Sequence, residues 1–316
     1  MTQFAHDHRG SPSPEFRRRR LGALAALVSP GILASGGCAQ FNHMLAQRNA
    51  PRVLPQTPTT VDVVTVINNN SGLVRSLYSG DASLGAPLTP TLRATLAMER
   101  PRHLRLRADT ALTGSELDVG SNDQQFWLWA KRQTPPAIFT CRHDQYAQSA
   151  ARRIFPVEPE WLIEAMGLPI IDPAAQVIGP VPVERGKLRI QAQVAGAFGP
   201  MTKTVVVDAA RGWVLEQHLH DAAGQLLATS RTSNHFRDPA SGATVPRHIE
   251  INWPATQFQA NIDFRSVQIN TLTGAQVAMF ELPSIAGSPV IDMAGPGFNL
   301  GAPTTGQVQP AVHTRY

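Results

Sequence analysis

Hydrophobic and polar positions alternate along much of this chain, as in Leu104 and Leu106 against Arg105 and Arg107, and again over Leu117-Asp118-Val119. A period of two predicts strands, here with one buried and one wet face. Gly120-Ser121-Asn122-Asp123 then reads as a turn into a third amphipathic run, Phe126-Trp127-Leu128-Trp129. Around this stretch the pattern predicts two extended segments between Leu88 and Arg107, bending at Met98 to Pro101, and strands over 112–119, 125–131 and 137–143. A second series covers 187–195, 201–208, 213–220, 226–232, 245–252 and 261–268, joined by glycine-containing turns such as Asp221-Ala222-Ala223-Gly224. Short strands linked in this way form an antiparallel meander.

Two stretches carry a helical period instead. Val61, Val64, Ile67, Val74, Leu77 and Tyr78 share one face after a capping threonine, Thr59 or Thr60; Asn68-Asn69-Asn70-Ser71-Gly72 weakens the middle, and a break or fraying is expected near Gly72. Pro159-Glu160-Trp161-Leu162-Ile163-Glu164-Ala165-Met166-Gly167 has proline inside its start and glycine past its end, the punctuation of a short helix.

Composition fits this outline: 24 Gly and 26 Pro in 316 residues suit turns and short strands better than a helical bundle. The formal charge of +5 looks at first like a nucleic-acid signal. Residues 1–37 hold five Arg against two acids; without them 23 basic and 21 acidic residues are left and the charge falls to +2. Nucleic acid is therefore not an expected partner.

That basic stretch, Arg17 to Arg20, precedes the apolar run Leu21 to Val28 and the small residues before Cys38. These are the parts of an export signal, and the run is too short for a good permanent span. Gly36-Gly37-Cys38 resembles a bacterial lipobox, with Ser35 where such sites usually carry Leu. The reading is a signal peptide over 1–37 and lipidation of Cys38, with plain cleavage or an uncleaved anchor as alternatives. Residues 38–58 read as a proline-bearing tether and 283–316 as a disordered Gly/Pro-rich tail. With Cys38 lipidated, Cys141 has no partner in the chain for a disulfide.

Few residues suggest chemistry. Cys141 and His143 would share a strand face, but a thiolate–imidazole pair also needs an oxyanion site, and none is visible. His218 and His220 lack further ligands at diagnostic spacing. No phosphate-cradling glycine loop or serine elbow is present. Neither catalytic residues, nor a metal, nor a cofactor is expected.

The order of helix, meander, short helix and meander behind an export signal resembles the LolA/LolB-like lipoprotein carriers and receptors of the bacterial envelope. The likeness rests on Arg100-Pro101 followed by Leu104 and Leu106, on Leu117 to Val119 and the Phe126-Trp127-Leu128-Trp129 strand. Val205 to Asp208, Gly212-Trp213-Val214 and the closing strand Asn261 to Asn270 extend it over about residues 59 to 270. It implies an α+β, mainly antiparallel β fold: an unclosed curved β-sheet, or half-barrel, over 59–282, with helices covering the concave face. It further implies that the concavity receives acyl chains, with Arg100 as a latch on the helical lid.

A pocket for acyl chains needs aliphatic and aromatic walls, for which the candidates are Leu104, Leu106, Phe126, Leu128, Phe139, Trp161, Met166 and Val214. An ordinary dry core would use the same residues. The leading expectation is a non-enzymatic envelope lipoprotein, facing the periplasm, that binds lipid or lipoprotein acyl chains and is tied to the membrane by Cys38. Ala39, in place of the Asp that retains some lipoproteins at the inner membrane, favours the outer one. A structural or scaffolding lipoprotein with a solid core is the alternative, and a thiol- or metal-dependent enzyme a third.

Overall fold

Thr59 starts the first helix, α1 (Thr60–Gly72), through a reciprocal capping box: the Asp62 amide donates to the Thr59 hydroxyl and the Thr59 amide to the Asp62 carboxylate. The computed structural model describes residues 51–298 apart from 88, 135, 185 and 297, so the signal peptide, Cys38 and the end of the tail lie outside the described residues. Val63, Ile67 and Ser71 form the buried stripe of α1. The helix ends at Gly72, where a break was expected, while Asn68 to Asn70 before it stay helical. The Asn68 side chain pairs both ways with the backbone of Ile171 (2.7 and 2.9 Å), and Asn70 does the same with Thr244 (2.8 and 2.7 Å). Asparagine competes with a helix when its amide has no other partner; here both amides are engaged by distant segments. Leu77 and Tyr78, counted above on the helix face, belong to the first strand.

That strand, β1 (Ser76–Gly85), opens a meander: β2 (Leu92–Glu99), β3 (His103–Thr110), β4 (Gly114–Ser121), β5 (Gln125–Ala130) and β6 (Ile138–Arg142). A covering segment follows, with 3-10 turns at 143–148 and 150–153 and helix α2 (Glu160–Ala165). The second series is β7 (Val177–Glu184), β8 (Lys187–Gly196), β9 (Gly199–Asp208), β10 (Val214–His220) and β11 (Leu226–Ser233). The small hairpin β12 (Phe236–Arg237) and β13 (Thr244–Val245) precedes β14 (His248–Trp253), β15 (Phe258–Phe264) and β16 (Gln268–Ile269). Last come α3 (Gly274–Val277) and β17 (Val290–Asp292).

The strands form one sheet in the order β17-β6-β5-β4-β3-β2-β1-β15-β14-β11-β10-β9-β8-β7, with β16 also on β1 and β12–β13 apart. All its pairs are antiparallel except β17 on β6. β17 and β7 do not meet, so the sheet is unclosed. It is nevertheless curved: residues of β2, β3, β5, β6, β11, β14 and β15 bury side chains in one shared cluster, which a flat sheet of this width could not do. Register shifts in β1, at Ser79/Ala82, and in β3–β4 and β10 mark bulges, which bend strands and add twist. This is the fold class read from the sequence.

The tail was expected to be disordered from residue 283, and up to 298 it is not. Residues 274–293 run as a strap over the outer face of β3 to β6. Leu282 and Ile285 pack on Trp127, Trp129 and Ile138, while Val290 to Asp292 pair with β6 and bury Met293. Arg105 donates to the carbonyls of Met279 (2.7 Å) and Glu281 (2.8 Å) and is ion-paired with Asp118. Asp118 in turn accepts from Trp127 Nε1 (3.0 Å). The face predicted to be wet is thus partly dry, because the strap covers it.

Gly120 makes room for this arrangement, since a Cβ there would lie 2.1 Å from the Trp127 ring. Gly120→Ala should therefore cost about 1–3 kcal/mol, seen as a lower urea midpoint with an unchanged slope.

Candidate functional site

The inner face of the sheet is built from cross-strand rows. Pairing aligns Met98, Leu104, Ser121, Phe126 and Cys141 across β2 to β6, and beside them Leu96, Leu106, Val119, Leu128 and Phe139. A third row is small apart from one leucine: Ala94, Ala108, Leu117 and Ala130. The first row is buried under the covering segment. In the second, Leu106, Val119, Leu128 and Phe139 are half-buried, so the apolar surface continues beyond the cover as a strip, or trough, whose β6 end meets Phe298 of the tail (5.7 Å between the Phe139 and Phe298 centroids).

Seven of the eight wall candidates meet in one cluster. Leu104, Phe126, Trp161 and Met166 are fully inside it, and Leu106, Leu128 and Phe139 pack at its margin. Val214 does not join them. It lies in a separate cluster with Leu54, Val63, Ile67 and the inner residues of β8 and β9, beneath α1. The reason is position along the sheet: β10 is far from β3 to β6, and α1 fills the space at that end.

Under the cover the space is filled. Phe126 meets the rings of Tyr146 (5.5 Å between centroids) and Phe155 (5.2 Å) edge-on, and Phe155 meets Trp253 (5.9 Å). The Tyr146 hydroxyl donates to the Phe155 carbonyl, which satisfies its polar end inside the core.

Polar pins hold this cover. Arg100 donates from Nε to the Val74 carbonyl (3.0 Å) and from a terminal nitrogen to the Leu168 carbonyl (2.6 Å). Gln217 Nε2 donates to the Glu164 carbonyl (2.6 Å), and the buried Lys203 ammonium pairs with the Glu164 carboxylate. Arg102 pairs with Glu160 at 3.2 Å. A helix end leaves carbonyls without partners, and here side chains of the sheet supply the donors around the C-terminal end of α2. Burial pulls the Arg100 guanidinium's pKa down, against the nearby Glu164 charge, and pushes that of Glu158 up.

Sequence reasoning singled out Arg100 and missed Asn68, Lys203 and Gln217. The missed signal was parity: Lys203 and Gln217 occupy inward positions beside Met201, Val205 and Leu219, where the pattern calls for apolar residues.

The reactive-looking groups are not brought together. β6 ends at Arg142; the Cys141 thiol, its pKa raised by burial, contacts Ser149, while His143 contacts the Asn122 carbonyl (2.8 Å). His218 and His220 lie on the outer face, and among the described residues no three His, Cys, Asp or Glu side chains are placed to hold a metal. Among the same residues no helix is long and apolar enough to cross a membrane.

The open antiparallel half-barrel with a helical cover is the arrangement that the likeness to LolA/LolB-like proteins implies. No family model and no curated relative matches this chain. Solved structures similar to it include a LolA superfamily protein from Nitrosomonas europaea, at 12% identity over 67% of this chain and 96% of that one, with a TM-score of 0.42. A DUF1329 family protein from Desulfovibrio piger matches at 12% over 71% and 98%, TM-score 0.46. A domain from Vibrio parahaemolyticus, described as outer membrane lipoprotein-sorting, matches at 10% over 69% and 98%, TM-score 0.45. Likenesses this distant say nothing of what the trough holds.

One buried group near Val214 makes a pH prediction. His235 Nε2 donates to the Val214 carbonyl (2.9 Å), and burial lowers the imidazole's pKa to about 4. The unfolded chain, with a pKa of about 6.5, binds the proton first as pH falls. Stability is therefore retained above pH 6.5 and lost between about 6.5 and 4, by up to about 3 kcal/mol. In urea titrations at pH 7 and 4.5, His235→Gln should narrow the difference between the two midpoints.

Proposed function

We propose that this protein is a non-enzymatic acyl-chain binder of the bacterial envelope, which takes lipid, or the lipid of a lipoprotein, into the inner face of its half-barrel. The observation that carries the reading is the half-buried row Leu106, Val119, Leu128 and Phe139, continuous with the buried row beneath the cover. Four strands at about 4.8 Å spacing give the trough a length of about 14 Å, enough for part of an extended hydrocarbon chain. Each methylene buried contributes about 0.8 kcal/mol, so no reactive group is needed for affinity.

The cover then acts as a lid. Its attachments to the sheet include polar contacts at its edges, and Arg100 bridges the lid at Leu168 to the start of β1 at Val74. Lipidation of Cys38 would hold the domain at a membrane, the outer one by the absence of Asp after the cysteine, and would suit a receptor better than a shuttling carrier. A scaffolding role with a solid core is the second reading, and the packed rings of Phe126, Tyr146 and Phe155 favour it.

Native mass spectrometry after gentle purification separates the two: bound lipid is expected, and a protein consistently empty and without affinity for added fatty acid would be the scaffold. Leu128→Asp should abolish binding while the chain stays folded. Arg100→Leu removes two charge-assisted hydrogen bonds of about 1.5 kcal/mol or more each, so bound lipid should leave at least about tenfold faster, with Trp161 fluorescence as the reporter. An unchanged release rate would remove Arg100 from the lid's mechanism.

A further inference from the structure

Strand β7 ends the sheet with only β8 beside it, and its outward side chains are aliphatic up to Glu184 at its end, which pairs with Lys187: Ile178 is 58% exposed, and Val181 and Val183 are also exposed. The segment leading into α1 runs along the same edge. Val53 and Leu54 donate to the Ala210 carbonyl (2.8 and 3.0 Å), Ala209 to that of Gly186 at the β7–β8 turn (2.8 Å), and the Thr60 hydroxyl to that of Gly179. This adds Val53 and Val61, the latter 72% exposed, to the aliphatic border. An exposed edge normally invites another strand, but Pro180 and Pro182 lack the amide hydrogens that a ladder requires.

Beside this border, on the outer face, lies a shallow concavity of about 330 Å³, whose lining includes Val183, Lys187, Arg189, Glu216 and His218. Lys187 is held by Glu184 (2.9 Å) and Glu216 (3.3 Å). Arg189 sits opposite Val181 in the ladder and has no side-chain hydrogen bond or ion pair among the described residues. A free guanidinium next to a row of aliphatic side chains matches the boundary of a lipid bilayer, where a phosphate layer adjoins hydrocarbon.

We propose that the β7 edge is a membrane-docking surface, in which Arg189 takes the phosphate of an anionic lipid headgroup and Ile178, Val181 and Val183 enter the interface. The way the chain enters the fold agrees with this partner. Residue 51 leads directly into the segment along this edge, and the 13 residues from Cys38 to Pro51 span at most about 45 Å. An anchor at Cys38 would therefore keep this edge near the bilayer. The trough occupies the inner face of β3 to β6, so the docking surface stands or falls separately from acyl-chain binding.

The test uses the full-length chain in vesicles of phosphatidylglycerol and phosphatidylethanolamine, with an environment-sensitive fluorophore on Val181→Cys or, at the distant β5–β6 turn, on Thr134→Cys. The parent chain, labelled alike, gives the background. Spin-labelled lipid should quench the probe at 181 and not at 134. Arg189→Ala should lower the docked-to-undocked ratio about fivefold, and Arg189→Glu or vesicles of phosphatidylcholine alone should lower it at least as far. Equal quenching at both positions, none at 181, or quenching at 181 indifferent to both Arg189→Glu and phosphatidylcholine would overturn the proposal. So would a shift of the probe at 181 that grows with protein concentration without lipid, since a second copy would then occupy the edge. Circular dichroism of each variant shows that the fold is intact.

Discussion

A sheet that curves without closing has an inner apolar face that it cannot cover with its own strands. The rest of this molecule answers to that constraint. At one end α1 supplies the cover, burying Val63 and Ile67 against β8 and β9; at the other, residues 143–171 do so with little regular structure. The hydrogen bonds inside this cover are short-range ones within its turns, so its place on the molecule is set by its contacts with the sheet. Arg100, Lys203 and Gln217 each place a donor against the covering helix or the carbonyls just past it. Such buried polar groups add little net stability, but an unpaired one is costly, and so they fix where the cover sits.

The same constraint explains why the buried rings and the half-buried row belong to one surface. Strand pairing fixes which residues stand side by side, and the cover reaches only some of them. Phe126 and Leu128 point the same way from one strand and differ in burial only because the 3-10 turns end over the first. The boundary between core and trough is thus set by the reach of the cover, and not by a change in the character of the strands.

Much of this was legible in the chain. Alternation located the central strands of both meanders, since a half-buried strand repeats every two residues whatever its partners. The proline-to-glycine span at 159–167 located α2. What alternation could not show was contact between distant segments. Asn68 and Asn70 read as helix breakers because their partners are residues 171 and 244. Strand β7 has too much proline to look like a strand, and the strap too little large apolar content to look ordered. Arg105 and Arg107 alternate identically in sequence, yet only Arg105 lies under the strap. Of the site, the wall residues of β3, β5 and β6 could be read from parity, whereas Val214 faces inward only because a bulge follows it, and it lies in another part of the sheet.

The strap has a consequence for the company this protein keeps with itself. An open sheet would leave β6 as a bare row of amides and carbonyls, next to a face carrying Trp127 and Trp129. Folding residues 290–292 back against β6 replaces that row with a strand only three residues long. Three residues give an incoming strand too little backbone to grip. Many copies held at high density in one plane could therefore touch constantly without seeding a fibril from this end of the sheet.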